Sequence, residues 1–378
     1  MSKLACGEFV MRWLFIFVMF LSVVNAKYLD NHSCKECHEK IYDEYESSYH
    51  SKTYFTDELH RKIANKVDKN RYECAVCHMP MANNLKDLIS GKAKVNPDNP
   101  THSDGVSCYF CHTIGYVKKS HKFNINLPAR QAKGYKPSLF ARLDNPDESD
   151  KHSSLSNPIY AKMVCKGCHS HKLNDYNTTI FRAMGEKQDS LECIKCHMPQ
   201  ASGGAEKMDK RARGVHISHK FLGIHDREFR KKGVDIEIGV KNGTLNVTLQ
   251  NKMAHPLIIQ PARAKYLKID IKRGDSIVWK NYKKSPKEDR EGYFAYSFKR
   301  DNHTVIIPAN ATDRFEHNLN AKESKTISYK IPELKKGDKI EVALYLRLAK
   351  SDCLSVIELE DANLKKEELI KKVSLIFK

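Results

Sequence analysis

The sequence predicts a two-part α + β protein, in which a mostly helical or irregular first part is followed by an antiparallel β-sandwich. Length gives the first indication, because 378 residues exceed what one compact core usually holds. Ten of the twelve cysteines lie in five short repeats within residues 34–196. Apolar and polar residues then alternate after residue 232, as they do in half-buried strands. We therefore expect the parts to span residues 27–230 and 232–378.

Residues 1–26 have the pattern of an export signal. Arg12 precedes an apolar run from Trp13 to Val24, and the small residue Ala26 ends a typical cleavage site. The run is shorter than the roughly 20 residues that cross a bilayer. We expect the segment to be removed, leaving a periplasmic protein with no membrane span.

The composition is that of a globular protein, with 29% charged and 40% hydrophobic residues. The formal net charge of +19 would ordinarily suggest an acidic partner such as nucleic acid. The lysines, however, are spread along the whole chain and form no patch interleaved with aromatic residues. We therefore expect no nucleic-acid partner. A partly basic face for an acidic protein partner remains open.

Five copies of the pattern CxxCH supply the chemistry of the first part. The pattern is that of covalent haem c attachment, in which two thiols bond to the haem and the adjacent histidine ligates its iron. The copies are Cys34, Cys37 and His38; Cys74, Cys77 and His78; Cys108, Cys111 and His112; Cys165, Cys168 and His169; Cys193, Cys196 and His197.

Disulfides, zinc sites and thioredoxin-like pairs also use CxxC, but none of them requires a histidine after the second cysteine. With 18 histidines in 378 residues, five such coincidences have a chance probability on the order of 10⁻⁷. The sequence therefore predicts five covalently bound haems. So many porphyrins in so few residues would form the core of this part, between short helices at 38–49 and 57–67 and loops at 92–100 and 143–158.

The remaining histidines outnumber what a second imidazole on every iron would require. Two imidazoles leave an iron low-spin, low in potential and without an open position. We interpret Met79 and Met198 as packing residues rather than ligands. The candidates for the second ligand are His50, His102, His121, His152 and His219, with His216 and His225 also in the region.

The segments CHEKIYDEYESSYHSK and GVSCYFCH resemble the multihaem cytochromes of the c-552/c-554 type, as does CHMPQ followed by HISHKFLGIHD. This resemblance covers residues 30–230. It implies electron transfer, with His50 and His121 in the positions of distal ligands. The tetrahaem members of that family have an open position on the second haem, which corresponds here to the site at Cys74 and Cys77. The fifth motif departs from the tetrahaem pattern.

The second part is predicted as β structure. Residues 234–240 and 245–249 alternate around Asn242-Gly243, which is the signature of a two-residue hairpin. Further strands are predicted near 267–271, 277–279, 327–331 and 340–346, with a helix at 363–372 before a last strand. Cys353 is expected to be buried. The segment NKMAHPLIIQPARAKYL resembles a module found after some multihaem cytochromes, in which we interpret His255 as a turn residue.

These features favour an electron carrier between periplasmic or membrane-bound redox proteins over an enzyme. The alternative is an oxidoreductase that converts a small nitrogen or sulfur compound at one five-coordinate haem. A third possibility makes the second part the attachment point to a larger respiratory complex.

Overall fold

The computed structural model describes residues 28–131, 136–143, 145–184, 193–206, 210–211 and 213–378. The predicted export signal therefore lies outside the described residues. Within them, no helix combines the length and the apolar character that crossing a membrane requires.

The first part consists of short helices joined by long connections. The helices α2 and α3 correspond to the predicted helices at 38–49 and 57–67. The others are four to six residues long, and several of them begin at or beside a CxxCH motif. The helices are α1 (Asn31–Lys35), α2 (Glu39–Glu46), α3 (Glu58–Val67), α4 (Ala75–His78), α5 (Leu85–Ser90), α6 (Pro100–Ser103), α7 (Cys108–Thr113), α8 (Ile159–Lys162), α9 (Lys166–His169), α10 (Cys193–His197) and α11 (Arg227–Lys232).

Within the described residues of the first part, four two-stranded sheets accompany these helices. Three are antiparallel and one, formed by β3 and β4, is parallel. None of their strands exceeds five residues. The strands are β1 (Ile114–Lys118), β2 (Ile125–Pro128), β3 (Ser138–Ala141), β4 (Ser153–Ser156), β5 (His171–Leu173), β6 (Thr179–Arg182), β7 (Gln200–Ser202) and β8 (Val215–Ile217).

The second part contains two larger antiparallel sheets. One has the order β16-β10-β9; the other has the order β14-β13-β11-β17-β18, with β12 also paired to β11 and β15 to β13. The strands are β9 (Val234–Lys241), β10 (Thr244–Asn251), β11 (Ala264–Arg273), β12 (Ser276–Lys280), β13 (Tyr293–Arg300), β14 (His303–Val305), β15 (Asp313–His317), β16 (Ser324–Lys330), β17 (Lys339–Arg347) and β18 (Glu367–Ile376); the short helices are α12 (Ser351–Leu354) and α13 (Ala362–Lys365).

The predicted hairpin is formed by β9 and β10. Asn242 and Gly243 both have positive φ, at 49° and 69°, as the two central residues of a type I′ turn require. The alternation then places Leu245, Val247 and Leu249 in the interior, where each is fully buried.

One hydrophobic cluster serves both larger sheets. Val247 of β10, Ile269 of β11 and Leu344 of β17 all belong to it and have no exposed surface. The cluster also includes Cys353, which is 3% exposed and buried as predicted. Burial raises the pKa of its thiol, so Cys353 is held in the unreactive neutral form.

The two parts of the chain are joined by packing and by hydrogen bonds. Leu59 of α3 belongs to the hydrophobic cluster of the second part. The carboxylate of Glu58 accepts hydrogen bonds from the backbone N–H groups of Glu360 and Asp361. Asn174 donates to the carbonyl oxygens of Pro308 and Ala311, at 2.9 and 2.7 Å. The second part therefore lies directly against α3 and against the residues that follow β5.

Two predictions for the second part differ from the structure. The helix predicted at 363–372 is wrong: α13 ends at Lys365, and β18 extends from Glu367 to Ile376 along the whole of β17. Pairing with β17 and burial of Ile370, which is 2% exposed, outweigh the helical preference of the lysines and glutamates. Strands β13, β14 and β15 were not among the predicted elements.

Candidate haem sites

Each CxxCH motif lies on or beside one helical turn. The backbone N–H of His38 donates to the carbonyl oxygen of Cys34 at 2.9 Å. The same bond joins His78 to Cys74 at 3.0 Å and His169 to Cys165 at 2.9 Å. Because residues three and four apart meet on one helical face, a turn of this kind presents both thiols and the imidazole to the same side.

Every motif histidine faces a second imidazole. The distances between ring centroids are 6.2 Å for His38 and His152, 6.2 Å for His112 and His219, and 6.4 Å for His197 and His255. They are 5.9 Å for His169 and His50, and 5.0 Å for His78 and His60. Five motifs thus correspond to five pairs of rings.

The spacing of the rings tests whether these residues fit haem iron. Metal–nitrogen bonds of about 2.0 Å on opposite sides of one iron place two imidazole centroids roughly 6 Å apart. Four of the five pairs have this spacing. The residues therefore fit a group bound between two imidazoles. The pair His60 and His78 is about 1 Å closer than this value and is tilted by 45°.

Hydrogen bonds orient several of these rings. Nδ1 of His112 donates to the carbonyl oxygen of Phe140 at 2.8 Å, and Nδ1 of His197 donates to that of Leu222 at 2.5 Å. His219 and His255 make the corresponding bonds to Ile217 and Pro256, both at 2.9 Å. A proton on Nδ1 leaves Nε2 with the lone pair that ligates a metal.

Burial favours the neutral form of several of these rings, which is the form that binds metal. It lowers the pKa of His50 and of His78 to about 3. It lowers the pKa of His219 and of His255 to about 4. Nearby imidazoles contribute to the shift for His50 and His78, because a second positive charge in the same region is unfavourable.

The predicted second ligands separate into two groups. His50, His152 and His219 each face a motif histidine. His102 does not occupy such a place: its Nδ1 accepts from the backbone N–H of Asn96 at 3.0 Å, and its Nε2 lies 2.8 Å from Oδ1 of Asn84. With both nitrogens occupied, its ring has no lone pair for iron.

His121, predicted from the third motif, lies on an exposed turn with its Nε2 3.2 Å from Oδ1 of Asn177. Two further histidines of the region also have other neighbours. His216 contacts Gly203 and Glu44 through its two nitrogens. His225 stacks against Tyr49.

Sequence reasoning missed His60 and His255. His60 lies on α3, the helix that precedes the second motif, and an imidazole on a short helix just before a motif is a signal that could have found it. His255 is interpreted from the sequence as a turn residue, although its segment resembles a module that follows some multihaem cytochromes. Its ring lies against His197, from the far side of the boundary predicted near residue 231.

The five attachment sites adjoin one another. The thiol of Cys34 is within hydrogen-bond reach of Cys108, that of Cys77 is within reach of Cys168, and that of Cys165 is within reach of Cys193. Phe221 links two of the imidazole pairs, because its ring contacts both His50 and His219 edge-on. The sites therefore form one connected cluster.

Comparisons with known proteins give a family match and a similar fold. Residues 33–113 match the sequence model of the family described as cytochrome c554 and c-prime. The fold is similar to that of a penta-heme cytochrome c552 from Thermochromatium tepidum, with a TM-score of 0.74 and 21% sequence identity. The alignment covers 92% of this chain and 99% of the other. No curated protein matches the sequence significantly.

Proposed function

We propose that this chain is a multihaem c-type cytochrome of the cytochrome c554 type, and that it acts as a periplasmic electron carrier with five covalently bound haems. The family match over residues 33–113 and the similar fold support the proposal. The observation that carries the proposal is the pairing of every motif histidine with a second imidazole. Bound haem supplies a one-electron couple, and two imidazoles leave its iron no position for a substrate.

We assign the second ligands from the ring pairs. His152 serves the motif of His38, His60 that of His78, and His219 that of His112. His50 serves the motif of His169, and His255 that of His197. His102 and His121 are replaced in this assignment, because their nitrogens are directed to asparagine side chains and backbone.

The part from 232 to 378 is proposed to be a β-sandwich whose two sheets enclose the shared cluster. In this proposal the second part supports the first and also supplies a haem ligand. That ligand is His255, which comes from the loop after β10 and faces His197 of the first part. The sequence left open that this part attaches the protein to a larger respiratory complex, and an attachment surface on the outer strands is compatible with the present proposal.

The proposal is tested by the spectra of the purified protein. We expect the oxidised form to be entirely low-spin by EPR, because every iron has two imidazole ligands. We also expect no spectral change when carbon monoxide is added to the reduced form, or nitrite or hydroxylamine to either form. A high-spin signal from about one haem in five would contradict the carrier and favour an enzyme.

One observation favours the alternative oxidoreductase. The pair His60 and His78 departs from the spacing of the other four, and it belongs to the site at Cys74 and Cys77 that the family resemblance marks as open. If His60 dissociates, that iron gains a position for a small nitrogen or sulfur compound. Binding of carbon monoxide to one haem of the reduced native protein would establish this candidate. Oxidation of the protein should be the only change that abolishes the binding.

The partners that we propose are periplasmic or membrane-bound redox proteins. A formal charge of +19 is reduced by the two carboxylates that each haem carries, so the assembled protein is only moderately basic. An acidic docking face on the partner fits this charge. Reduction by such a partner should slow as ionic strength rises, because attraction between charged surfaces is screened.

A further inference from the structure

The axial imidazoles differ in what holds their second nitrogen. Nδ1 of His112, His197, His219 and His255 donates to a backbone carbonyl oxygen. Nδ1 of His152 lies 3.2 Å from the hydroxyl of Ser154. Nδ1 of His38 is 4.0 Å from a carboxylate oxygen of Glu206, beyond hydrogen-bond distance. Among the axial histidines in the described ranges, only His60 has its Nδ1 hydrogen-bonded to a carboxylate, Oδ2 of Asp57 at 2.5 Å.

Both oxygens of that carboxylate are engaged by His60, and the backbone of Asp57 is anchored as well. Asp57 is the N-cap of α3, and its Oδ1 accepts from the backbone N–H of His60 at 3.1 Å. Its own backbone N–H donates to the carbonyl oxygen of Thr53 at 2.8 Å. The side chain is 12% exposed. One oxygen therefore caps the helix while the other engages the ring, so neither can turn away without losing a bond.

The surroundings of the carboxylate carry charge from both parts of the chain. The guanidinium of Arg263, just before β11, acts electrostatically on Asp57, and so do the imidazoles of His60 and His78. Arg263 offsets part of the negative charge at long range. The short hydrogen bond acts directly on the imidazole, because a carboxylate acceptor on Nδ1 increases the electron donation from Nε2.

We propose that Asp57 is a positioning residue that fixes the tautomer of His60, strengthens it as a ligand, and makes the site of His60 and His78 the one with the lowest reduction potential. This inference rests on the assignment of His60 under the proposed function. Stronger donation and a nearby negative charge both favour oxidised iron over reduced iron. The carbonyl and hydroxyl acceptors at the other sites carry no full charge and have a weaker effect.

The experiment is a potentiometric titration of the full-length protein, followed by absorbance and EPR, for the native chain and four variants. Asp57→Asn keeps an oxygen to cap α3 but removes the charge and the acceptor for Nδ1. Asp57→Glu restores a carboxylate. Asp361→Asn changes another N-cap aspartate, whose side chain accepts from the backbone N–H of Asn363 at 2.7 Å. His60→Ala removes the ligand itself.

We expect Asp57→Asn to leave every haem low-spin while one of the five midpoint potentials, the lowest, rises. If the substitution lowers the ratio of oxidised to reduced iron tenfold at a fixed potential, the midpoint potential of that one-electron couple rises by about 59 mV. Asp57→Glu should recover part of the shift, and Asp361→Asn should change no potential. A merely structural role for Asp57 would instead broaden or lose signals without a selective shift.

His60→Ala separates this inference from the proposed function. If it produces a high-spin signal from one haem while Asp57→Asn moves no potential, the assignment of His60 stands and the role of Asp57 is refuted. If it produces no new high-spin signal, His60 is not a ligand and the assignment itself fails. An upward shift of a haem other than the lowest in Asp57→Asn would overturn the inference as well.

Discussion

At the scale of single residues, function depends on which imidazoles have a free nitrogen facing a motif histidine. His219 and His121 illustrate the contrast, since both were predicted as ligands from the same region. His219 is held through Nδ1 by Ile217 and faces His112. His121 is exposed and contacts Asn177. Chemical identity alone does not distinguish them.

Replacing His219 by alanine should convert about one haem in five from low-spin to high-spin, because the iron at Cys108 and Cys111 loses its second imidazole. EPR of the oxidised protein and carbon monoxide binding to the reduced protein measure this change. His121→Ala is the matched control and should leave both spectra as in the native chain. Equal high-spin signals in the two variants would contradict the ligand assignment.

At the scale of elements, local backbone conformation defines the hairpin that begins the second part. Gly243 and Gly239 lie in the same hairpin, and a Cβ at either position would meet no atom within 4 Å. They differ in backbone conformation, because Gly243 has a φ of 69° in the turn whereas Gly239 lies in β9. Only the turn position therefore requires glycine.

Gly243→Ala should lower the free energy of unfolding by about 1 kcal/mol, since an L-residue is strained at positive φ. Gly239→Ala should leave stability unchanged or raise it by roughly 0.5 kcal/mol, because alanine restricts the unfolded chain. Denaturant unfolding of both variants provides the measurement. The turn assignment would be wrong if the two substitutions had the same effect.

At the scale of the whole molecule, the two parts are expected to function as one unit. Leu59 of the first part packs into the cluster of the second, and His255 of the second faces His197 of the first. A module that only docks to partners would need neither contact. Both stability and the haem sites should therefore respond to changes in residues 232–378.

His255→Ala in the full-length chain should produce a high-spin signal from about one haem in five, at the site of Cys193 and Cys196. The control is His303→Ala, which changes an exposed histidine of the same part. EPR distinguishes the outcomes. An unchanged low-spin spectrum in His255→Ala would mean that the second part supplies no ligand, and would restore the docking interpretation.

Acid stability should depend on Glu341, whose carboxylate accepts from lysines on three strands: Lys272 of β11, Lys339 of β17 and Lys372 of β18. These bonds lower its pKa to about 2. Because the folded pKa lies below the unfolded one, the stabilisation is present above about pH 4.5 and is lost as the pH falls towards 2.

Glu341→Gln should therefore reduce the free energy of unfolding by about 2 kcal/mol at pH 6 and by less at pH 3. Denaturant titrations at the two pH values measure this. Glu237→Gln, which changes an exposed residue of β9, should have little effect at either pH. A deficit for Glu341→Gln that is the same at both pH values would contradict the linkage.

The sequence by itself determined the cofactor and the local elements. Two cysteines and a histidine in one helical turn form an attachment site whatever surrounds them, and Asn242-Gly243 forms its hairpin from local backbone preference. The same reasoning located α2, α3 and most of the longer strands, because these follow from patterns within a few residues.

Tertiary structure alone decided which imidazoles face one another and where the last strand lies. His152, His60, His219, His50 and His255 meet their partners across contacts between separate segments, and no periodicity in the chain records which segments touch. The residues 367–376 likewise became β18 because β17 offered a partner and a buried face for Ile370. Attachment is local chemistry, whereas axial pairing and strand pairing depend on long-range packing.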